Sequence, residues 1–382
     1  MGSVFIEAES FARTGGWLVE TQGMEVIKSA YLMAHGIGIP VADAETPVEI
    51  PQAGYWTVWA LTRDWTAVWK RGNPAGRFTV KVNSRELPEV LGTNGSAWAW
   101  QKAGSLNLPA GRATLALHDL TGFNGRCDAL YLTDGAEVPP DDPEGIEAMR
   151  RRFHGDIVDD PTHYGLIVAG GGMAGICTAM AAARTGTKVL LIQDRAVLGG
   201  CNSSEIRVGL GGFPHYPPYA NLGRTVDAVA PVFGSGKALG AECYEDARKL
   251  NAFRLCDGKL CRVVLEQRVV AVETDPADPS LIVAVVARST RTGKDIRYKA
   301  RLFADCTGDA TLARGAGAAY MYGTEGREVF GETLAPEKTR KEVMGLSSQW
   351  YSSDKAEPTS FPEVDWGLDR KSTRLNSSHR IR

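Results

Sequence analysis

The feature that most limits what this chain can become is the stretch from Tyr164 to Arg207, YGLIVAGGGMAGICTAMAAARTGTKVLLIQDRAVLGGCNSSEIR. The run Leu166-Ile167-Val168-Ala169 reads as a buried strand. It leads straight into Gly170, Gly172 and Gly175, a G-x-G-x-x-G between a strand and a helix, which is the context that gives this motif its meaning. Gly170 permits the tight turn, Gly172 lets the backbone approach a pyrophosphate, and Gly175 lets the helix lie close on the strand. The helix, Met173 to Arg184, is rich in Ala, and Gly186 is a natural stop. Its first residues, Met173 and Ala174, present free N–H groups and roughly +0.5 elementary charge to an anion.

A second strand is predicted over Lys188 to Ile192. About 20 positions past the glycines an acidic residue usually bonds a ribose hydroxyl. Here the strand ends in Gln193, with Asp194 next, so the ribose contact falls to Gln193, to Asp194, or to both. The following segment, Arg195 to Ser204, is a second glycine turn with hydroxyls, containing Gly199, Gly200 and Ser203. It resembles the loop by which glutathione-reductase-like flavoproteins hold the FAD phosphates, and that resemblance favours FAD over NAD. The plainer reading is a structural glycine turn in an α/β protein that binds nothing.

With 382 residues there is room for two domains with sizeable cores. A net charge of -2 gives no reason to expect nucleic acid or a membrane surface as partner, and no run is long and apolar enough to span a bilayer. The start, Met-Gly-Ser-Val-Phe-Ile, lacks the marks of a signal peptide, which favours a cytoplasmic protein unless a leader is missing. Seven scattered cysteines without a C-x-x-C fit reduced thiols, and do not support an iron–sulfur cluster or zinc site.

Residues 1–135 have a different character. Seven of the nine tryptophans lie before residue 101, and strand signals recur at short intervals: Phe78, Val80 and Val82 alternate with other residues, as do Ala113, Leu115 and Leu117. Turns fall at Gln52-Ala53-Gly54, Gly72-Asn73-Pro74, Asn94-Gly95 and Pro109-Ala110-Gly111, and the pattern predicts an all-β sandwich. The opening Phe5-Ile6-Glu7-Ala8-Glu9, the strand start Ala53-Gly54-Tyr55-Trp56 and the closing Arg126-Cys127-Asp128-Ala129-Leu130-Tyr131-Leu132 resemble the jelly-roll carbohydrate-binding modules. The resemblance implies a structural calcium ion held by Glu7, Glu9 and Asp128; the alternative is three carboxylates capping strand ends. Trp65, Trp69, Trp98 and Trp100 form either a stacking platform for sugar rings or part of the core. Residues 136–162, with Val138-Pro139-Pro140-Asp141-Asp142-Pro143, read as a linker; a short helix is predicted from Asp142 through Ile146 and Met149 to Phe153, with Arg150-Arg151-Arg152 on its solvated face.

Beyond Arg207 comes an irregular Gly/Pro/aromatic loop to Tyr219, then a predicted helix over 241–250 and a strand over 261–273. Leu281 to Val286 is expected to pair with Lys294 to Tyr298 across Thr292-Gly293. The strand Ala300 to Asp305 ends in Cys306-Thr307-Gly308-Asp309, a turn whose Thr307 and Gly308 amides and Asp309 carboxylate are candidate cofactor contacts. Gln267-Arg268-Val269 runs either past an adenine ring, with Val269 bonding it through the backbone, or simply as a sheet strand.

The glycine motif, Leu198-Gly199-Gly200 with Ser203 to Val208, the turn Asp305 to Asp309, and Gly331-Glu332-Thr333-Leu334-Ala335-Pro336 together resemble the FAD-dependent oxidoreductase family that includes relatives of heterodisulfide reductase. The likeness covers about residues 163–350. It implies an α/β Rossmann-like domain over 163–368, bound FAD and redox activity. Some relatives carry [4Fe–4S] clusters, whose clustered cysteine motif is absent from this sequence. The expected function is transfer of a hydride or electron pair between flavin and a small-molecule or carbohydrate substrate, with an unidentified electron acceptor. Glu205 and His215 are the candidate proton carriers, against a salt bridge to Arg207 and a solvated loop histidine. The rival is a carbohydrate-binding protein whose flavin fold is non-catalytic; an NAD-linked reductase would call for a second glycine motif, which the sequence lacks. From Asp369 the chain resembles the in-frame translation of a sequencing adapter, so residues 369–382 are expected to be an artefact and the domain over 163–368 incomplete.

Overall fold

A computed structural model describes residues 2–68, 73–211, 215, 217–218, 224–230, 244, 246–254, 260–343 and 357–358. Two compact units are built mainly on Met1–Gly155 and on Asp156–Thr290 with Lys294–Ala356.

The first unit is an all-β sandwich. Its strands are β1 (Ser3–Glu7), β2 (Trp17–Glu20), β3 (Tyr31–His35), β4 (Ala44–Ile50), β5 (Gly54–Thr62), β6 (Phe78–Val82), β7 (Arg85–Glu86), β8 (Ala99–Leu108), β9 (Gly111–Asp119) and β10 (Phe123–Thr133). One sheet runs β2-β3-β10-β5-β8 with β1 also on β10; the other runs β4-β9-β6-β7. Alternation drives the packing: Ala44, Thr46, Val48 and Ile50 of β4 are buried while Pro47 and Glu49 are exposed. Between the sheets Trp17, Trp56, Val58, Phe78, Val80, Leu115, Leu117, Leu130 and Leu132 form one core. Cys127 to Thr133 of β10 are buried on both faces. The reason is a helix laid over the outer face.

That helix, α2 (Pro143–His154), follows a single turn, α1 (Met24–Ile27), in chain order. Asp142 caps α2 by accepting from Gly145 N at 2.8 Å, Pro143 starts it and Gly155 at φ 83° ends it. Ile146, Met149 and Phe153 pack on Phe5, Leu61, Trp100, Ala129 and Tyr131. The stretch expected as linker is therefore divided: α2 belongs with the sandwich, and the second unit begins at Asp156. Arg150 does not lie on a solvated face, being 1% exposed.

Its guanidinium lies among the carboxylates expected to hold calcium. Nε donates to Glu7 Oε1 at 2.9 Å, Nη1 to Ile27 O at 2.6 Å, and Nη2 to Asp128 Oδ2. Glu9 lies alongside, accepting from Ser29 Oγ at 2.9 Å; burial, reinforced by Glu7 and Asp128, pushes its carboxyl well above the usual range. Glu7 and Asp128 thus meet at the guanidinium, with Glu9 beside them. A positive side chain among these carboxylates disfavours a second cation there.

Among the tryptophans of the expected sugar platform, Trp100 is core, 6.2 Å from both Phe5 and Tyr131. Trp98 is half-buried against Tyr31 at 5.1 Å with Arg63 over its ring, and Trp65, also half-buried, donates to Phe123 O beneath Arg126. Trp69 lies outside the described residues.

The second unit is α/β. Its strands are β11 (Val158–Ala169), β12 (Val189–Ile192), β13 (Cys261–Val264), β14 (Gln267–Thr274), β15 (Ile282–Ser289) and β16 (Asp295–Asp305). They form one sheet in the order β13-β12-β11-β16-β15-β14. The first four in this order are mutually parallel; β15 is antiparallel to both of its neighbours, β16 and β14. Among the described residues it also has helices α3 (Met173–Arg184), α4 (Arg224–Asp227), α5 (Asp246–Arg254), α6 (Thr311–Gly315) and α7 (Arg327–Phe330). Ile167, Ala169, Leu190 and Ile192 face one core, Val168, Val189 and Leu191 the other with Ile176, Ala179, Met180 and Ala183 of α3. Burial on both faces is why these strands read as unbroken apolar runs.

Two expectations shift. The strand predicted over 261–273 is two, separated by Glu266 at φ 55°, and the pieces sit at opposite edges of the sheet. The two strands predicted over 294–305 are one, β16, whose first half pairs with β15 and whose length runs beside β11. Of the helix predicted over 241–250, residues 246–250 are described as helical, within Asp246–Arg254, and 241–243 and 245 lie outside the described residues.

Candidate functional site

Register brings the site together. Ala169 is level with Ile192 on one side and Asp305 on the other, so the loops after β11, β12 and β16 open at the same sheet edge. Gly170 has φ 97°, and a Cβ there would stand 2.2 Å from Cys306 O. At Gly175 a Cβ would stand 1.8 Å from Gly170 O, so only glycine lets α3 pack this close. Gly172 is different: a Cβ there meets nothing within 4 Å. It caps α3 without a side-chain hydrogen bond, and the first turn of α3 holds no acidic residue. The opening amides of a twelve-residue helix thus face open space with the positive end of its dipole.

The second glycine turn is bonded to the first. Gly199 N donates to Gly171 O at 2.8 Å. Gly199 and Gly200 have φ of 120° and 59°, and a Cβ on Gly200 would press on Gly172 Cα at 3.1 Å. Gln193 holds the pair in register: it is buried, its Oε1 accepts from Gly171 N at 2.7 Å and its Nε2 donates to Val197 O at 3.2 Å. Its amide thereby braces the two turns, and both Gln193 and Asp194 line the cleft between them.

The third turn is built on Asp305. Oδ1 accepts from Thr307 N and Oγ1 at 3.1 and 2.7 Å; Oδ2 accepts from Leu312 N and Ala313 N at 2.8 and 3.1 Å, capping α6. Burial pushes this carboxyl up, but the Thr307 hydroxyl and the amides of Ala313, Thr307 and Leu312 outweigh it and hold it below the usual range. Thr307 Oγ1 in turn accepts from Asp309 N and Thr311 N.

A cleft of about 590 Å³ lies between the three turns, lined among others by Gly170, Gly172, Met173, Ala174, Gln193, Asp194, Gly199, Gly200, Val269, Thr307, Gly308 and Asp309. Gly175 and Ser203 are buried behind it. Arg268 also lines it, with Nη1 3.5 Å from Asp194 Oδ2 and Nη2 3.7 Å from Asp309 Oδ2. Arg268 stands next to Val269 at the start of β14, and that adjacency is the signal in the sequence that marks it.

The candidate proton carriers are not brought into this lining. Neither Glu205 nor His215 is among the described residues that line the cleft. Glu205 pairs with Arg195 at 3.4 Å, not with Arg207, and burial pushes its carboxyl up against the pull of that guanidinium. His215 is exposed, its Nε2 3.0 Å from Asp227 Oδ1.

The family model for FAD dependent oxidoreductases matches residues 165–380. The chain belongs to the FAD dependent oxidoreductase family. The span matched runs past Asp369, into the stretch that resembles adapter sequence. Among solved structures, a family 35 carbohydrate binding module from Clostridium thermocellum is 18% identical, covering 35% of this chain and 100% of that one at a TM-score of 0.29. The myxobacterial chondrochloren halogenase, a variant of FAD-dependent halogenases, is 22% identical over 41% of this chain and 40% of that one, TM-score 0.29. Adenylylsulfate reductase from Archaeoglobus fulgidus is 18% identical over 40% and 31%, TM-score 0.30. The chain thus spans less than half the length of either of these two enzymes. No curated protein matches it.

The donor set fits the family's cofactor. Helix amides and a glycine turn suit a diphosphate, and the open side of Gly172 leaves room for one. No helix among the described residues is long and apolar enough to cross a membrane.

Proposed function

We propose that this oxidoreductase holds FAD in the cleft of its second unit and moves a hydride or an electron pair between that flavin and a small organic substrate. The supporting observation is the junction of the uncapped α3 N-terminus with the second glycine turn, at the carboxyl ends of parallel strands. In this reading the amides of Met173 and Ala174, with Gly199 and Gly200, hold the diphosphate. Asp194 takes the ribose, the backbone of Val269 the adenine, and the Thr307–Asp309 turn closes the far wall. Bound there, FAD supplies the two-electron chemistry, and the protein's share is to bind, orient and exclude water. Glu205 and His215 are given no part, because neither lines the cleft, and Glu205 is paired with Arg195 while His215 is hydrogen-bonded to Asp227.

The test is direct. Protein purified from cells should be yellow, or should turn yellow and quench flavin fluorescence on titration with FAD; a folded protein that takes up no FAD would end this reading. Half-buried Trp65 and Trp98 beneath Arg126 and Arg63 favour a second reading in which the sandwich binds sugar. Anaerobic bleaching of the flavin by a sugar would join the two readings in one enzyme. Sugar affinity in protein that takes up no flavin would leave a binding protein.

A further inference from the structure

We propose that Arg150 is the resident cation of the first unit: a guanidinium brought in on α2 does the neutralising and cross-linking that a divalent metal ion would do for the same oxygen atoms. The helix register makes this possible. Ile146, Met149, Arg150 and Phe153 fall at i, i+3, i+4 and i+7, so Arg150 sits in the apolar stripe that faces the sheet.

Its three nitrogens reach three separate pieces of chain. Nε goes to Glu7 at the end of β1, Nη1 to the Ile27 carbonyl at the end of α1, and Nη2 to Asp128 in β10. The side chains of Arg150, Glu7 and Asp128 are 1%, 0% and 0% exposed, so this is not a surface ion pair. His154, one turn further along α2, adds a contact to Glu7 Oε1 at 3.1 Å. The planar fork of arginine suits this task; a lysine would reach one acceptor well and leave the others.

The surrounding donors are the carboxylates of Glu7, Glu9 and Asp128 and one backbone carbonyl, an all-oxygen set of the kind that holds calcium. Two cations do not share such a space. While Arg150 is in place the unit is indifferent to calcium. Once it is removed, the carboxylates are left as a divalent-cation site, and the folded unit acquires a dependence on metal that it did not have.

The experiment uses the full chain. Seven of the nine tryptophans lie before residue 101, so thermal unfolding followed by tryptophan fluorescence reports the first unit. Wild type, Arg150→Ala and Glu7→Gln are melted with calcium and with EDTA. Calcium affinity is read by calorimetry, and terbium luminescence serves as a second probe. Wild type should melt at the same temperature in both buffers. Arg150→Ala should bind calcium and gain about 5 °C or more at a hundredfold excess over its Kd. A wild-type melting temperature that rises with calcium, and no longer does so in Glu7→Gln, would overturn the proposal. So would a folded Arg150→Ala that binds neither calcium nor terbium. If Arg150→Ala does not fold in either buffer, wild type decides: indifference supports the proposal and a Glu7-dependent response defeats it.

Discussion

Replacing Gly172 with alanine tests the cradle without disturbing the fold that carries it. At this residue φ is -67° and ψ is 178°, a conformation alanine adopts freely, and the new methyl group meets no protein atom within 4 Å. The methyl instead enters the space an anion must cross to reach the amides of Met173 and Ala174. Losing one charge-assisted hydrogen bond costs about 1.5–3 kcal/mol. At 1.4 kcal/mol per factor of ten, the Kd for FAD should rise about 10- to 100-fold. The assay is fluorescence quenching on titration of the flavin-free protein, with the flavin retained after gel filtration as a second readout. Melting of the flavin-free variant should match wild type. Gly175→Ala is the contrasting control: its Cβ would lie 1.8 Å from Gly170 O, so it should lower stability with or without flavin. If Gly172→Ala is folded and binds FAD as tightly as wild type, the diphosphate does not lie at this helix end.

Gln193→Leu leaves the Gly171 N–H and the Val197 carbonyl without their partner, and should cost about 1–3 kcal/mol for each group left buried, read by urea unfolding of the flavin-free protein. Arg268→Ala removes the cation between Asp194 and Asp309, so the cleft becomes more acidic; the Kd for FAD should rise on the order of tenfold and its salt dependence should change, measured by titration at two ionic strengths. The carboxyl of Asp305 is held below its ordinary value, so it contributes stability that is present above the unfolded pKa of about 3.9 and is lost as pH falls through the lower folded value. Asp305→Asn should be less stable than wild type at neutral pH and should lack that acid-side slope, as followed by circular dichroism.

How much of this was legible in the sequence depends on the range of the interaction that each residue serves. The glycine cradle was readable because its demands are local: positive φ at Gly170 and Gly199, and a helix packed against its own preceding turn at Gly175. The sandwich was readable because period-two burial and turn residues repeat along it. Gln193 was legible only by position. Its bond to Gly171 reaches a turn 22 residues away in the chain, and no local pattern separates a glutamine that braces a turn from one that awaits a ribose. Glu266 breaks its strand at positive φ without being glycine, so the usual mark of a break was missing.

Arg150 is the more instructive miss. In a run of three arginines a solvated face is the obvious reading, yet successive helical residues point about 100° apart, so three in a row cannot share one face. Ile146, Met149 and Phe153 already define the buried stripe, and Arg150 is the arginine that lies within it. A basic residue inside an apolar stripe requires buried acceptors somewhere in the fold. Glu7 and Asp128, which the same sequence had brought forward with Glu9 as metal ligands, are acceptors of that arginine. The two readings competed for one set of oxygens, and a guanidinium already covalently attached to the chain needs no free ion to be recruited from solution.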